Sequence, residues 1–230
     1  MGGINNLMAR LVFIGGASGS GKSSSLMDFE PESTFIINAD AHELPFRYVE
    51  KYSEKLGNYT EDSSIASIKN SFKIANEEER FERLVIDTWS RVMTDYIMAR
   101  PFRAAIDGRK AWGKFAQDMY DLLDAINNVL RKDLVVYLLC HTEKYINDTG
   151  VLVERISTHG QQLNRFVPES FSTVVLYTQV EALPGQKPKY YFRTETSGFD
   201  TCKTPMGMFE EALIPNNLPL AEKIIKEYYT

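Results

Sequence analysis

Along this chain of 230 residues, short continuous apolar runs alternate with longer stretches whose apolar residues recur at helical spacing. Leu11-Val12-Phe13-Ile14, Thr34 to Asn38, Leu84 to Thr88 and Leu134 to Cys140 have strand length and little alternation. Such runs predict parallel strands buried on both faces. Between them the spacing predicts helices over Leu44 to about Leu56 (Pro45 falling in the first turn), Ile65 to about Ala75, and Trp89 to Ala99. A long helix follows Lys110, with Trp112, Phe115, Met119, Leu122, Leu123 and Ile126 as a core-facing stripe. Phe171 to Val180 reads as a further strand, and Tyr190 to Thr196, with its period of two, as its hairpin partner across the turn at Pro184-Gly185. An amphipathic helix runs from Pro219 to Tyr229. Gly57 to Ser64, Arg100 to Lys110 and Thr142 to about Gln162 read as polar loops, the last holding a brief strand at Val151-Leu152-Val153. Residues 1–9, with Gly2-Gly3 and Asn5-Asn6, read as a mobile lead-in. With no internal repeat and no linker, the expectation is one domain over 1–230: an α/β fold with a mostly parallel sheet, helices on both faces and an antiparallel hairpin extension.

Composition narrows the picture only a little. Hydrophobic residues make up 43% and charged residues 25%, as in ordinary globular proteins. The formal charge of -5 leaves no global basic footprint, so any nucleic-acid contact needs a local patch or one built by assembly. Cys140 lies in an apolar run and suits a buried thiol in a reducing compartment, which points to the cytoplasm. No targeting segment or bilayer-spanning run is visible, and the three histidines and two cysteines lack zinc-site spacing.

The chemistry concentrates in Gly16-Ala17-Ser18-Gly19-Ser20-Gly21-Lys22-Ser23, between the first apolar run and Ser24-Ser25-Leu26-Met27, which can begin a helix. This is G-x-x-x-x-G-K-[ST] in strand–loop–helix context, the P-loop. Its glycines let successive N–H groups turn toward phosphate oxygens, and the N–H groups from Ser23 and Ser24 onward add to them. Lys22 suits the β- and γ-phosphates, and the Ser23 hydroxyl is a hard ligand for Mg²⁺. The chain is therefore expected to bind a nucleoside triphosphate. Asp87 ends a strand, where an ATPase keeps its metal-holding carboxylate. Asp40 and Glu43 follow another strand end, and equally suit the N-cap of a helix beginning at Leu44.

Taken in order, the P-loop, Ile37-Asn38-Ala39-Asp40, Val85-Ile86-Asp87, a strand ending at His141, a hairpin and Lys203-Thr204-Pro205-Met206-Gly207-Met208-Phe209 resemble the phage-encoded AAA/RecA-core P-loop ATPases. Within these the chain is similar to the Sak-type single-strand-annealing and recombination ATPases, from about residue 10 onward. The resemblance implies a RecA-like fold that binds ATP and Mg²⁺ through Lys22, Ser23 and Asp87. It implies Asp40 or Glu43 as the carboxylate orienting the attacking water, His141 as a γ-phosphate sensor, and Lys203 reaching a neighbouring subunit's nucleotide. It also implies a homo-oligomer with sites between subunits, no membrane, and a place in the host cytoplasm. Its partners would be single-stranded DNA and a single-strand-binding or annealing protein. Two basic stretches stand where such proteins carry DNA-binding loops: Arg100, Arg103, Arg109 and Lys110 beside Phe102, and Lys144, Tyr145 and Arg155. The chain departs from the pattern in showing no N-terminal polymerisation helix, while Phe102-Arg103-Ala104-Ala105 matches the F-x-x-A interface tetrapeptide only in spacing. Two rival readings stand beside the ATPase: a nucleotide or small-molecule kinase, and a nucleotide-gated scaffold without turnover.

Overall fold

The computed structural model describes residues 10–160, Leu163 and 167–230; the lead-in at 1–9 and Gln161-Gln162 lie outside them. Eight strands form the main sheet: Arg10–Gly15 (β1), Thr34–Asn38 (β2), Tyr59–Thr60 (β3), Arg83–Asp87 (β4), Val135–Cys140 (β5), Val174–Glu181 (β8), Lys189–Arg193 (β9) and Leu213–Pro215 (β10). Two more, Thr142–Ile146 (β6) and Leu152–Ile156 (β7), form a separate two-stranded sheet. The order across the main sheet is β10-β9-β8-β1-β5-β4-β2-β3. From β8 to β3 all neighbours are parallel, and β9 and β10 extend the edge antiparallel. The mixed α/β sheet with its hairpin extension is the one the apolar runs predict.

Alternation along the parallel strands divides the core in two. Leu11, Phe13, Leu84, Ile86, Val136 and Leu138 face helices Ile65–Glu77 (α1), Trp89–Met98 (α2) and Gly108–Asn128 (α4). Val12, Ile14, Val85, Tyr137 and Leu139 face Leu26, Phe29, the 44–52 segment and the last helix, Leu218–Tyr228 (α5). A short helix, Arg100–Arg103 (α3), lies between α2 and α4. Because β1, β2, β4 and β5 run the same way, Gly15, Asn38, Asp87 and Cys140 finish together, Gly15 level with Cys140 and Asn38 level with Asp87. The loops after those residues meet at one end of the sheet, where open α/β folds collect their ligands.

Several local expectations differ from the structure. After the P-loop the helix expected to begin at Ser24 is one turn of 3-10 helix, Ser23–Leu26. Three serines are weak helix formers, and Pro31 keeps Glu30 extended. Leu26 and Phe29 then anchor the turn in the core. Leu44 to Leu56 is not a helix but a run of bends ending in a 3-10 turn at Glu54–Leu56. Asn58 draws that segment's polar groups to itself: its amide donates to Lys51 O at 2.9 Å, and its carbonyl accepts from Ser53 N at 3.1 Å. The basic stretch 100–110 is mostly helical, because Asp107 caps α4 by accepting from Lys110 N. Thr142 onward is the β6–β7 hairpin, its turn held by Asn147, which accepts from Thr149 N and Val151 N.

Candidate functional site

The P-loop leaves β1 at Gly15 and wraps against β8. A side chain on Gly16 would bring its Cβ within 1.8 Å of Thr178 Oγ1, so only glycine fits there. Thr178 donates to Ser20 Oγ, and Ser20 in turn to Ala17 O, at 2.6 Å each, fixing the loop from the neighbouring strand. Gly21 is held by both space and conformation: its φ is +98°, and an added Cβ would meet Asn216 Oδ1 at 2.9 Å. Lys22 is buried, and its ammonium donates to Gly16 O at 2.9 Å and Ala17 O at 2.8 Å. That spends two of its three donors on holding the loop open and leaves one for a ligand.

Strand β5 lies between the P-loop strand and β4, so Asp87 stands two strand spacings, about 10 Å, from β1. Ser23 and Lys22 reach across that gap. The Asp87 carboxylate is fully buried and hydrogen-bonded by Ser23, and its Oδ1 has no partner. Desolvation pushes its pKa up to about 6 and the neighbouring Asp40 adds to the rise, while the Ser23 hydrogen bond and the Lys22 charge oppose it. Lys22 moves the other way: burial lowers its pKa against the pull of Asp87. Glu169 also buries an unpartnered carboxylate oxygen, so what sets Asp87 apart is its place beside the P-loop's Ser23 and Lys22.

One pocket gathers Ser18, Gly19, Gly21, Lys22, Ser23, Ser24, Asp40, Thr88 and His141. Asp40 is placed by a turn whose next residue, Ala41, is left-handed at φ +50°, and Asn38 ties that turn down by donating to His42 O at 2.7 Å. Its Oδ1 accepts from Thr88 Oγ1 at 3.2 Å. Glu43, three residues later, is exposed and lines no part of the pocket. His141 is half-buried, and its backbone N–H donates to Ser90 Oγ at 2.9 Å. Burial lowers the imidazole pKa, the Lys22 charge lowers it further, and Asp40 opposes both. Lys203 lies apart from this pocket, its backbone paired with Val175 in β8. Phe102 does not project as an interface anchor: it packs edge-on against Trp112 of its own chain, ring centroids 5.0 Å apart.

The residues matched by a family model span 8–201, described as an AAA domain. The chain belongs to the AAA domain family. No curated protein matches it. Among solved structures this AAA domain is similar to the flagellar accessory protein FlaH from Methanocaldococcus jannaschii, at 7% identity and a TM-score of 0.38. That match covers 81% of this chain and 77% of the other. The protein is a P-loop NTPase of AAA type. Its donor set fits Mg²⁺–nucleotide: one hydroxyl, one carboxylate with a free oxygen, and a cradle shaped for phosphates. Among the described residues no helix is long and apolar enough to cross a membrane.

Arg109 and Trp112 of α4 share a cavity wall with His159 and Gly160, which follow the β6–β7 hairpin. On that hairpin Arg155 stacks over Tyr145 at 4.1 Å and pairs with Glu143 at 2.9 Å. Sequence reasoning missed Thr88, Ser90, Thr178, Tyr190 and Asn216. Thr88 and Ser90 had a local signal, as the N-cap and first turn of α2 directly after Asp87. Thr178, Tyr190 and Asn216 are brought to the site by distant strands.

Proposed function

We propose that this protein hydrolyses ATP to ADP and phosphate and couples the cycle to oligomer assembly on single-stranded DNA, in phage recombination or replication. The observation that carries the hydrolytic reading is the buried Asp87 carboxylate, one oxygen unpartnered, hydrogen-bonded by Ser23 and within reach of the Lys22 charge, the two P-loop residues that line the pocket. Lys22 binds the β- and γ-phosphate oxygens, and Ser23 and Asp87 would hold Mg²⁺. When bound, that ion supplies charge neutralisation at the β–γ bridge. Asp40 accepts from Thr88 through one oxygen and keeps the other for a water aligned on the γ-phosphorus. That water's oxygen forms the new P–O bond as the bond to the bridging oxygen breaks, and ADP leaves with the electron pair. His141, its pKa lowered, is a neutral imidazole at pH 7 and donates to the γ-phosphate. Its position at the root of the β6–β7 hairpin favours a relay from the γ-phosphate to the hairpin's Lys144, Tyr145 and Arg155. Arg100, Arg103, Arg109 and Lys110 are the second basic stretch assigned to single-stranded DNA in this reading. Lys203, outside its own chain's pocket, would complete a neighbour's site.

The test is steady-state ATP hydrolysis with and without single-stranded DNA over a range of protein concentrations. Turnover that rises with both supports assembly with shared sites. Turnover indifferent to both contradicts the DNA coupling and the role of Lys203, and leaves a self-contained NTPase. Transfer of phosphate to a nucleoside monophosphate would replace the reading with a kinase.

A further inference from the structure

The cradle fixes which way a nucleotide lies. Lys22, Ser23 and Asp87 define the triphosphate end, and beyond Gly21 the pocket wall is Tyr190 of β9. A Cβ on Gly21 would stand 3.1 Å from Tyr190 Cδ1, so the ring rests on the loop itself. It is held there from the sheet edge. Asn216 N–H donates to the Tyr190 carbonyl at 3.2 Å, and the Asn216 side chain abuts Gly21 from the same direction, its Nδ2 buried and unpartnered. The next residue, Asn217, caps α5 and donates to Asp28 at 2.9 Å, tying that junction to the segment after the P-loop. Yet Tyr190 itself remains 40% exposed. An aromatic ring held against the P-loop at the pocket wall, and still partly open to solvent, has the chemistry of a stacking platform.

We propose that Tyr190 is the base-stacking wall of this site, with Asn216 as the positioning residue that holds β9 against Gly21. The proposal rests on reading the pocket as a nucleoside triphosphate site and adds where the base goes. Stacking reads a π-face and not a base edge, so the subsite accepts purine nucleotides without distinguishing adenine from guanine.

Binding titrations of Mg-ATP, Mg-GTP and Mg-tripolyphosphate to wild type, Tyr190→Ala, Tyr190→Phe and Lys22→Ala test this. Tyr190→Ala should lose about tenfold in affinity for both nucleotides, and Tyr190→Phe should stay within about twofold, since a stacked base is worth that much. Tripolyphosphate, which has no base, should bind both Tyr190 variants as it binds wild type. An equal loss of tripolyphosphate in Tyr190→Ala would overturn the proposal, because the ring would then act only by shaping the loop; so would unchanged nucleotide affinity. Lys22→Ala separates the two levels. Loss of all three ligands there keeps the triphosphate reading whatever Tyr190 does, and wild-type binding there removes that reading itself.

Discussion

Strand β4 carries a buried charge at each end. At its start, Arg83 pairs with Glu222 of α5 at 2.8 Å and donates to Ser33, Thr34 and Glu82, its guanidinium lying over the Phe29 ring. Glu222 also accepts from Tyr137 at 2.9 Å and from Lys226 at 2.8 Å. At its finish, Asp87 has one hydroxyl partner and an orphaned oxygen. Desolvation acts on both carboxylates. At Glu222 it is outweighed by Arg83 and then Lys226, so the pKa falls; at Asp87 it wins, and the pKa rises to about 6. The same strand thus completes one polar network and leaves the other incomplete. An incomplete buried charge costs stability, a cost that a bound cation would relieve.

The largest effect expected is on ligand binding at the incomplete end. Lys22→Ala should weaken Mg-ATP binding by about a hundredfold or more, as loss of a charge-developing donor does, with the circular dichroism spectrum unchanged. The complete end should answer in stability instead. Arg83→Met takes from Glu222 its main buried partner, leaving Tyr137 and Lys226, and should cost about 3 kcal/mol in denaturant unfolding, whereas Arg83→Met with Glu222→Leu should cost less. Equal costs for the single and double variants would mean the network is not the coupled unit its geometry describes.

Asp87→Asn sharpens the comparison because its sign is opposite. The folded pKa of about 6 lies above the unfolded value, so the protonated form favours folding. That contribution is fully present below about pH 4 and is lost as pH rises through about 6. At pH 8 the asparagine should therefore stabilise the ligand-free protein by about 1–2 kcal/mol, less than the full shift implies because its amide N–H also needs a partner. The gain should vanish as the pH falls to about 4. Glu222 runs the other way: its lowered pKa gives stability above the unfolded value that is lost in acid. The smallest effect belongs to wild-type nucleotide affinity, which should decline severalfold below about pH 6 as Asp87 takes up a proton.

How far the sequence discloses this depends on the range of the interaction. The P-loop, the buried strands and Asp87 are legible because each is written in consecutive residues: glycines where the backbone turns, apolar runs where both faces are covered, an acid where a strand stops. The helices expected after the P-loop and over 44–56 are absent because Pro31 and Asn58 set the backbone against the local periodicity. Arg83 and Glu222 are 139 residues apart, and nothing in either neighbourhood announces the pair. Tyr190 shows only as one residue of an alternating strand. Its place over Gly21 follows from β9 sitting two strands from β1, which is a property of the sheet order.

The account stands most directly on the claim that Asp87 is left incomplete for a magnesium-bound nucleotide. Thermal unfolding of wild type and Asp87→Asn at pH 8, each with and without Mg-ATP, measures it. The variant should melt higher than wild type without ligand, and Mg-ATP should raise the wild-type melting temperature while barely moving the variant's. A variant that melts lower and still gains as much from Mg-ATP would contradict it.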